Sequence, residues 1–161
     1  MIQPDISELL KLEQKARVEG SGIEADSLIG VWNFKTVWKK GSNIEDKVSS
    51  IFLNLLSANL ELKKDQEDKK NVLFSISNSI KFGFTSLKFS GTANLERKQP
   101  ILAFSFDFIN IEIASLTILK RSLPKPDTKK RPFFALIALD KNGKWLCARG
   151  KGGGLALWYR N

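Results

Sequence analysis

The sequence of 161 residues contains no histidine and only one cysteine, Cys147. The absence of histidine excludes Ser–His and Cys–His nucleophile systems, histidine general bases and most zinc sites. Carboxylates and lysines could still act in catalysis, so an enzyme is disfavoured without being excluded. No catalytic residue, metal or cofactor is predicted. A single cysteine cannot form an intrachain disulfide, and it fits a reducing compartment.

Long apolar runs are also absent. No segment approaches the roughly 20 apolar residues that a membrane-spanning helix needs. Residues 1–5 have neither the basic lead nor the apolar core of a secretory signal, so a cytoplasmic protein is expected. With 42% hydrophobic and 27% charged residues, the composition is that of a folded protein. The length favours a single domain over residues 1–161.

Acidic residues are scarce in the last quarter of the chain. Residues 1–119 hold 15 Lys/Arg and 15 Asp/Glu, whereas residues 120–161 hold 11 Lys/Arg against only Asp127 and Asp140. The whole net charge of +9 therefore comes from the C-terminal segment. Such a bias predicts a surface that meets an anion, although improved solubility is an equally good explanation for scattered lysines.

An amphipathic helix is predicted over residues 5–19. Asp5 is a typical N-cap, apolar residues recur at helical spacing after it, and Gly20 supplies a stop. From residue 28 the apolar period changes to two, which predicts a first strand with Trp32 and Phe34 on one face. A β-domain is therefore expected over residues 28–160.

Short alternating runs continue to the C-terminus and predict about eight or nine strands with no helices between them. Residues 45–64 are ambiguous, and we favour a helical or irregular start, then a strand over 57–64. A charged turn is expected at 63–70. Apolar residues alternate in one phase over 72–84 and in the opposite phase over 87–95, which predicts β-structure in both runs. The change of phase near Thr85 and Ser86 indicates a bulge or turn. The remaining predicted elements are strands over 102–108, 109–119, 133–139, 145–149 and 155–160, with a proline-containing loop at 120–131.

This pattern is typical of an antiparallel sheet, sandwich or barrel. The last two strands enclose a glycine corner, residues 150–153, which predicts a tight hairpin. The corner lacks the order of a phosphate-binding P-loop and leads into a strand, so a phosphate cradle is disfavoured. In a closed barrel this hairpin brings the C-terminus beside the first strand.

Eleven phenylalanines, mostly at alternate positions of consecutive strands, are the main chemical feature. They predict either a plain aromatic core or an apolar cavity, because a barrel of about eight strands can be filled or can hold one small ligand. The candidate ligand-binding residues are Trp32, Phe34, Phe74, Phe82, Phe84, Phe104 and Phe106.

Alternating strand direction predicts that the loop 120–131 and the glycine corner lie at one end of the barrel. Basic residues would then gather there as a basic rim: Lys39, Lys40, Lys120, Arg121, Lys125, Lys129, Lys130, Arg131, Arg149 and Lys151. Arg160 falls at the opposite end beside Trp32, which predicts a cation–π contact that caps the barrel floor.

The same C-terminal residues carry a family resemblance. Asp140 followed by Arg149-Gly150-x-x-Gly153-x-Leu155-x-Leu157-x-x-Arg160 resembles the closing signature of the plastid lipid-associated protein (fibrillin) family. Leu28-Ile29-Gly30-Val31-Trp32 is similar to that family's opening signature and to the Gly-x-Trp of lipocalins. The resemblance spans residues 28–160 in layout, with specific motifs at the two ends.

The resemblance implies a lipocalin-like up-and-down barrel that binds a prenylquinone, carotenoid or fatty acid and attaches peripherally to photosynthetic (thylakoid) membranes. It carries no catalytic residue. The expected partners are therefore a small lipophilic ligand and an anionic membrane surface, with no nucleic acid, and the chain is expected to be a monomer. Two alternatives stay open: a basic β-barrel that binds single-stranded nucleic acid, and a tetrapyrrole lyase-like enzyme on the same barrel, with Cys147 as its only thiol.

Overall fold

The computed structural model describes residues 4–41, 59–67, 71–96 and 100–161. Helix α1, Ile6–Glu19, begins after Asp5, whose carboxylate accepts a hydrogen bond from the Ser7 amide at 3.2 Å. It ends at Gly20, where φ is +84° and the amide donates to the Ala16 carbonyl oxygen. The predicted helix over 5–19 is confirmed. A short second helix, α2, spans Ala25–Leu28.

Nine antiparallel strands follow within the described residues, and eight of them close into a ring. The order is β4-β3-β2-β1-β9-β8-β7-β5, with β5 pairing back to β4, while β6 lies on the free edge of β5. The predicted fold class, a mainly β up-and-down barrel with an N-terminal helix, is confirmed. The strands are β1 Gly30–Trp38, β2 Asn59–Glu67, β3 Asn71–Phe82, β4 Thr85–Glu96, β5 Ile101–Ile113, β6 Leu116–Ser122, β7 Phe133–Leu139, β8 Trp145–Gly150 and β9 Leu155–Arg160.

The C-terminal hairpin closes the ring as predicted. Trp32 of β1 lies opposite Arg160 of β9, and Trp38 lies opposite Leu155. Neighbouring strands in the ring alternate in direction, so the β1–β2, β3–β4, β5–β6 and β8–β9 connections all leave the same end of the barrel. We call this the corner end, after the glycine corner.

Two boundaries differ from the sequence prediction. β5 runs without a break through residues 108 and 109, and the chain turns instead at Ala114 and Ser115 (φ +48° and +69°). This left-handed turn lacks the Gly or Asn that usually marks one, so the alternation conceals it. β2 continues to Glu67, so the charged turn predicted at 63–70 is wrong for residues 63–67. Residues 68–70 and the predicted irregular start before residue 59 lie outside the described residues.

The core has two layers. Inside the barrel, Trp32, Phe74 and Trp158 belong to one buried apolar cluster. Outside it, α1 packs over the outer face of the last three strands, where Leu9 and Cys147 are fully buried. The alternation of β8 therefore serves both layers, because one face lines the barrel and the other supports the helix.

The long strand β5 pairs with two partners in succession along one edge. Residues 101–103 pair with β7 and close the ring, whereas residues 108–113 pair with β6. Beyond the level of β7, parts of β3, β4 and β5 therefore continue with β6 as a four-stranded sheet towards the corner end. We call residues 77–90 and 108–122 the sheet extension.

Gly91 permits a close approach of β4 and β5 where the register shifts between Ser90 and Gly91. A Cβ on Gly91 would lie 2.0 Å from the Ser105 carbonyl oxygen and 2.8 Å from the Phe106 Cα. We expect Gly91→Ala to lower the free energy of unfolding by about 3 kcal/mol, because backbone atoms must move apart. Urea denaturation measures the loss.

The matched control is Gly152→Ala, since a Cβ on Gly152 would meet no atom within 4 Å. Its effect should stay within about 0.5 kcal/mol, as for other surface changes. Equal stability of the two alanine variants would contradict the close-approach explanation.

Candidate ligand cavity and basic rim

A cavity of about 430 Å³ opens inside the barrel beside the glycine corner. Its volume falls in the range of small-molecule sites, and its walls are mostly apolar, as such sites usually are. It is lined by Leu60, Asn78, Phe89, Phe104, Phe106, Pro132, Phe133, Phe134, Gly150, Lys151, Gly152 and Trp158.

The aromatic rings form one continuous wall across β4, β5, β7 and β9. Phe104 stacks on Phe134 with ring centroids 5.1 Å apart, and Phe134 meets Trp158 edge-on, also at 5.1 Å. On the other side, Phe106 contacts Phe104 at 5.7 Å and Phe89 at 5.6 Å. Offset and edge-to-face pairs at these distances favour each other, so the wall is held in a defined shape.

Of the predicted ligand-binding residues whose side chains the structure describes, two line this cavity, Phe104 and Phe106. Phe34 packs edge-on against Trp158, with centroids 6.0 Å apart, and so supports the wall from behind. Trp32 and Phe74 are fully buried in the core and do not border the cavity.

Phe84 contradicts the prediction most clearly, because its side chain is 86% exposed. It belongs to the Gly83–Phe84 turn that joins β3 to β4, so the alternation of β3 ends before it. A pattern of every second residue does not show where a strand stops. The predicted alternation runs through Phe84, whereas β3 ends at Phe82. The side chain of Phe82 lies outside the part of the chain that the structure describes.

Several lining residues were missed. Phe89 shares the phase of the buried Ala93 and Leu95, so the alternation could have found it. Phe133 and Phe134 are consecutive, and a period of two cannot choose between them. Asn78 shares the phase of the buried Ile76 and Ile80, but a polar residue does not by itself indicate an apolar wall. Both faces of β9 are buried from Leu155 to Trp158, so the phase of Trp158 does not distinguish a core residue from a cavity wall.

Lys40, Arg131 and Lys151 of the predicted rim lie together at the glycine corner. The ammonium of Lys151 donates to the Arg131 carbonyl oxygen at 3.2 Å. The Lys40 side chain lies against Gly153, with its Cδ 3.2 Å from where a Cβ of Gly153 would stand. Lys39 follows the last residue of β1 on the same side, and Lys125 and Lys130 lie in the loop before β7. The side chain of Lys129 is not among those described.

Arg149 reaches the glycine corner at Gly153, but its charge is paired with a carboxylate of α1. Its Nε donates to a Glu13 carboxylate oxygen at 2.7 Å, its Nη2 donates to the other, and its Nη1 donates to the Gly153 carbonyl oxygen at 2.7 Å. The side chain points to the outer face of β8, where α1 supplies the carboxylate. Sequence alone does not show that the helix crosses this strand.

Lys120 and Arg121 also lie elsewhere than predicted, because they belong to β6 of the sheet extension. The Lys120 ammonium stands 5.0 Å from the centroid of the Phe108 ring. They therefore share the corner end with the glycine corner but form a separate basic surface.

The barrel floor shows the predicted contact. The Arg160 guanidinium carbon lies 4.2 Å from the centroid of the Trp32 ring. Its nitrogens donate to the carbonyl oxygens of Gly143 at 2.8 Å, Ile29 at 2.6 Å and Ser27. The guanidinium thus ties the chain before β1 to the β7–β8 turn across the closed end.

Cys147 is fully buried between α1 and the barrel. Burial raises the pKa of its thiol to about 12, with opposing contributions from the charges of Arg149 and Glu13. The thiol is therefore protonated at neutral pH, which argues against its use as a nucleophile.

No protein-family model, curated protein or solved structure matches this chain. The likeness to the plastid lipid-associated proteins therefore stays a sequence-level prediction. Among the described residues, no helix has the length and apolar character needed to cross a bilayer.

Proposed function

We propose that this protein binds one small lipophilic molecule in the barrel without catalysing a reaction. The proposed ligand is a prenylquinone, a carotenoid or a fatty acid. We also propose that the basic rim attaches the protein peripherally to an anionic photosynthetic membrane. The observation that carries it is the aromatic-walled cavity of about 430 Å³ beside the basic glycine corner.

The chemistry of the cavity supports a ligand with an apolar body and one polar end. Six aromatic side chains line the cavity and supply apolar area, which contributes roughly 25 cal/mol per Å² removed from water. Lys151 and Asn78 are the polar side chains on the border. An ammonium beside the opening suits a carboxylate or a quinone oxygen of the ligand.

Single-stranded nucleic acid is a weaker candidate. Base stacking needs aromatic faces that a strand can reach along a basic groove. The rings of Phe104, Phe134 and Trp158 instead pack against one another inside the barrel.

Titration of the purified protein with a short-chain quinone or with palmitate tests the proposal. We expect saturable one-to-one binding, seen as tryptophan quenching by the quinone because Trp158 borders the cavity. Phe134→Ala should weaken binding about tenfold or more, since Phe134 contacts both Phe104 and Trp158.

Phe84→Ala makes the same chemical change at an exposed turn and should leave quinone affinity unchanged. Thermal unfolding of both variants separates lost binding from lost structure. Quenching that does not saturate, or equal weakening by the two alanine variants, would overturn the cavity proposal.

A further inference from the structure

The sheet extension ends in two adjacent turns at the corner end of the barrel. The Gly83–Phe84 turn joins β3 to β4, and the Ala114–Ser115 turn joins β5 to β6. The Ala114 amide donates to the Phe84 carbonyl oxygen at 2.8 Å, so the two turns form one unit.

This unit carries an unusual share of the exposed apolar surface. Nine large apolar side chains are exposed among the described residues, and five of them lie here. Phe84 is 86% exposed, Leu116 74% and Ile118 61%. Scattered exposed apolar residues need no explanation, but a contiguous group marks a surface that meets another molecule or a membrane. We call this group the apolar tip: Phe84, Ile113, Leu116, Ile118 and Leu119.

Basic residues stand directly behind the apolar tip. Residues 79–90 and 107–122 contain four cations, Lys81, Lys88, Lys120 and Arg121, against two carboxylates, Asp107 and Glu112. Glu112 accepts a hydrogen bond from the Ser86 hydroxyl at 3.1 Å. We call the four cations the basic collar.

Apolar side chains at a tip with cations behind them match the layers of an anionic bilayer surface. The apolar groups enter the boundary between headgroups and acyl chains, while lysines and arginines remain level with the phosphates. A second copy of the chain fits less well, because two basic collars would face each other with like charge.

We propose that the apolar tip inserts into an anionic lipid surface and that the basic collar binds its headgroups. The inference rests on the proposed function only for membrane attachment, and it assigns the lipid contact to the tip of the sheet extension. Alternating strand direction places the tip at the same end as the glycine corner. The cavity border at Gly150 and Gly152 therefore faces the same surface, which would shorten the path of a lipophilic ligand into the barrel.

Co-sedimentation of the full chain with phosphatidylcholine vesicles, with and without phosphatidylglycerol, tests this inference. We expect binding only to the anionic vesicles. Phe84→Asp with Leu116→Asp should lower the partition coefficient at least tenfold, as expected for about two buried side chains lost. Lys120→Glu with Arg121→Glu should lower it by about tenfold or more, because each cation near such a surface contributes measurably.

Two controls test whether the loss of vesicle binding is specific to the apolar tip and its basic collar. Val18→Asp places the same charge on an equally exposed apolar site of α1, 85% exposed, and should bind vesicles like the unaltered chain. Lys40→Glu with Lys151→Glu alters the basic rim at the glycine corner. The variants of Phe84, Leu116, Lys120 and Arg121 should keep the quinone affinity of the unaltered protein, since none of these four residues borders the cavity.

If the tip variants bind vesicles normally and the rim variant does not, the tip inference is overturned while the proposed function stands. Failure of every form, including the unaltered chain, to bind anionic vesicles overturns both membrane claims, and quinone titration still decides the cavity claim separately. A concentration-dependent dimer that Leu116→Asp dissociates, with lipid binding unchanged, would assign the tip to contact between copies and overturn the inference.

Discussion

Replacing Arg160 by alanine is expected to lower the free energy of unfolding by about 4 kcal/mol. The guanidinium donates to three carbonyl oxygens and stacks on Trp32 at the barrel floor. Hydrogen bonds that involve a charged group are worth about 1.5–3 kcal/mol each, and the cation–π contact adds about 1 kcal/mol. These gains are partly offset, because alanine also removes the cost of desolvating the charge.

Arg160→Lys separates charge from geometry. A lysine retains the positive charge over Trp32 but cannot reach three carbonyl oxygens with a planar fork, so we expect roughly half of the loss. Lys144→Ala, at an exposed position of the neighbouring turn, is the matched control and should be near neutral. Guanidinium denaturation measures all three. A loss in Arg160→Ala no larger than in Lys144→Ala would show that the floor contact does not stabilise the barrel.

Removing the Glu13 carboxylate is expected to cost about 3 kcal/mol or more at neutral pH. Glu13 of α1 pairs with Arg149 of β8, and their side chains are only 10% and 17% exposed. Breaking a buried pair by removing one partner leaves the other charge without compensation, which costs about 3–5 kcal/mol. Glu13→Gln keeps the size of the side chain, and urea denaturation at neutral pH measures the change. Glu8→Gln, on the exposed side of the same helix, is the control.

The Glu13 contribution depends on pH. Burial alone would raise the pKa of this carboxyl, but hydrogen bonds and charge from Arg149 and Arg17 outweigh burial and hold the pKa below its ordinary value of 4.5. Because the folded pKa is depressed, the stabilisation is fully present above the ordinary value and is lost as pH falls through the folded pKa.

The difference in stability between the unaltered chain and Glu13→Gln should therefore be constant above about pH 5.5 and shrink progressively below about pH 4.5. Denaturation curves of both proteins across this range provide the measurement. A difference that persists unchanged into strong acid would show that the carboxylate charge is not what holds α1 to β8.

Residue patterning predicted the elements that depend on neighbouring positions. The helix follows from Asp5, the apolar spacing and Gly20, which act within a few residues of one another. The closing hairpin follows from the glycine corner and the alternation on both sides of it, and it places Arg160 beside Trp32. Patterning misplaced two boundaries, because the Ala114–Ser115 turn and the end of β2 leave the alternation undisturbed.

The candidate site was only partly predictable. Alternation identified Phe104 and Phe106 as inward-facing, and the structure places both at the cavity. It could not show that Phe74 fills the core, that Phe84 lies in a turn, or that Phe134 completes the wall. A residue's phase fixes the face of the sheet it occupies, whereas the space in front of that face depends on strands distant in sequence.

The sequence by itself determined an N-terminal helix, a run of consecutive antiparallel strands that ends in a C-terminal hairpin, and a basic C-terminal segment. These features depend on local spacing and on composition. Only the tertiary structure decided which partners meet: Arg149 with Glu13, the aromatic wall with the cavity, and the two turns that carry Phe84 and Leu116. Such contacts join residues far apart in the chain, and their positions follow from strand register and from the length by which β5 exceeds β7.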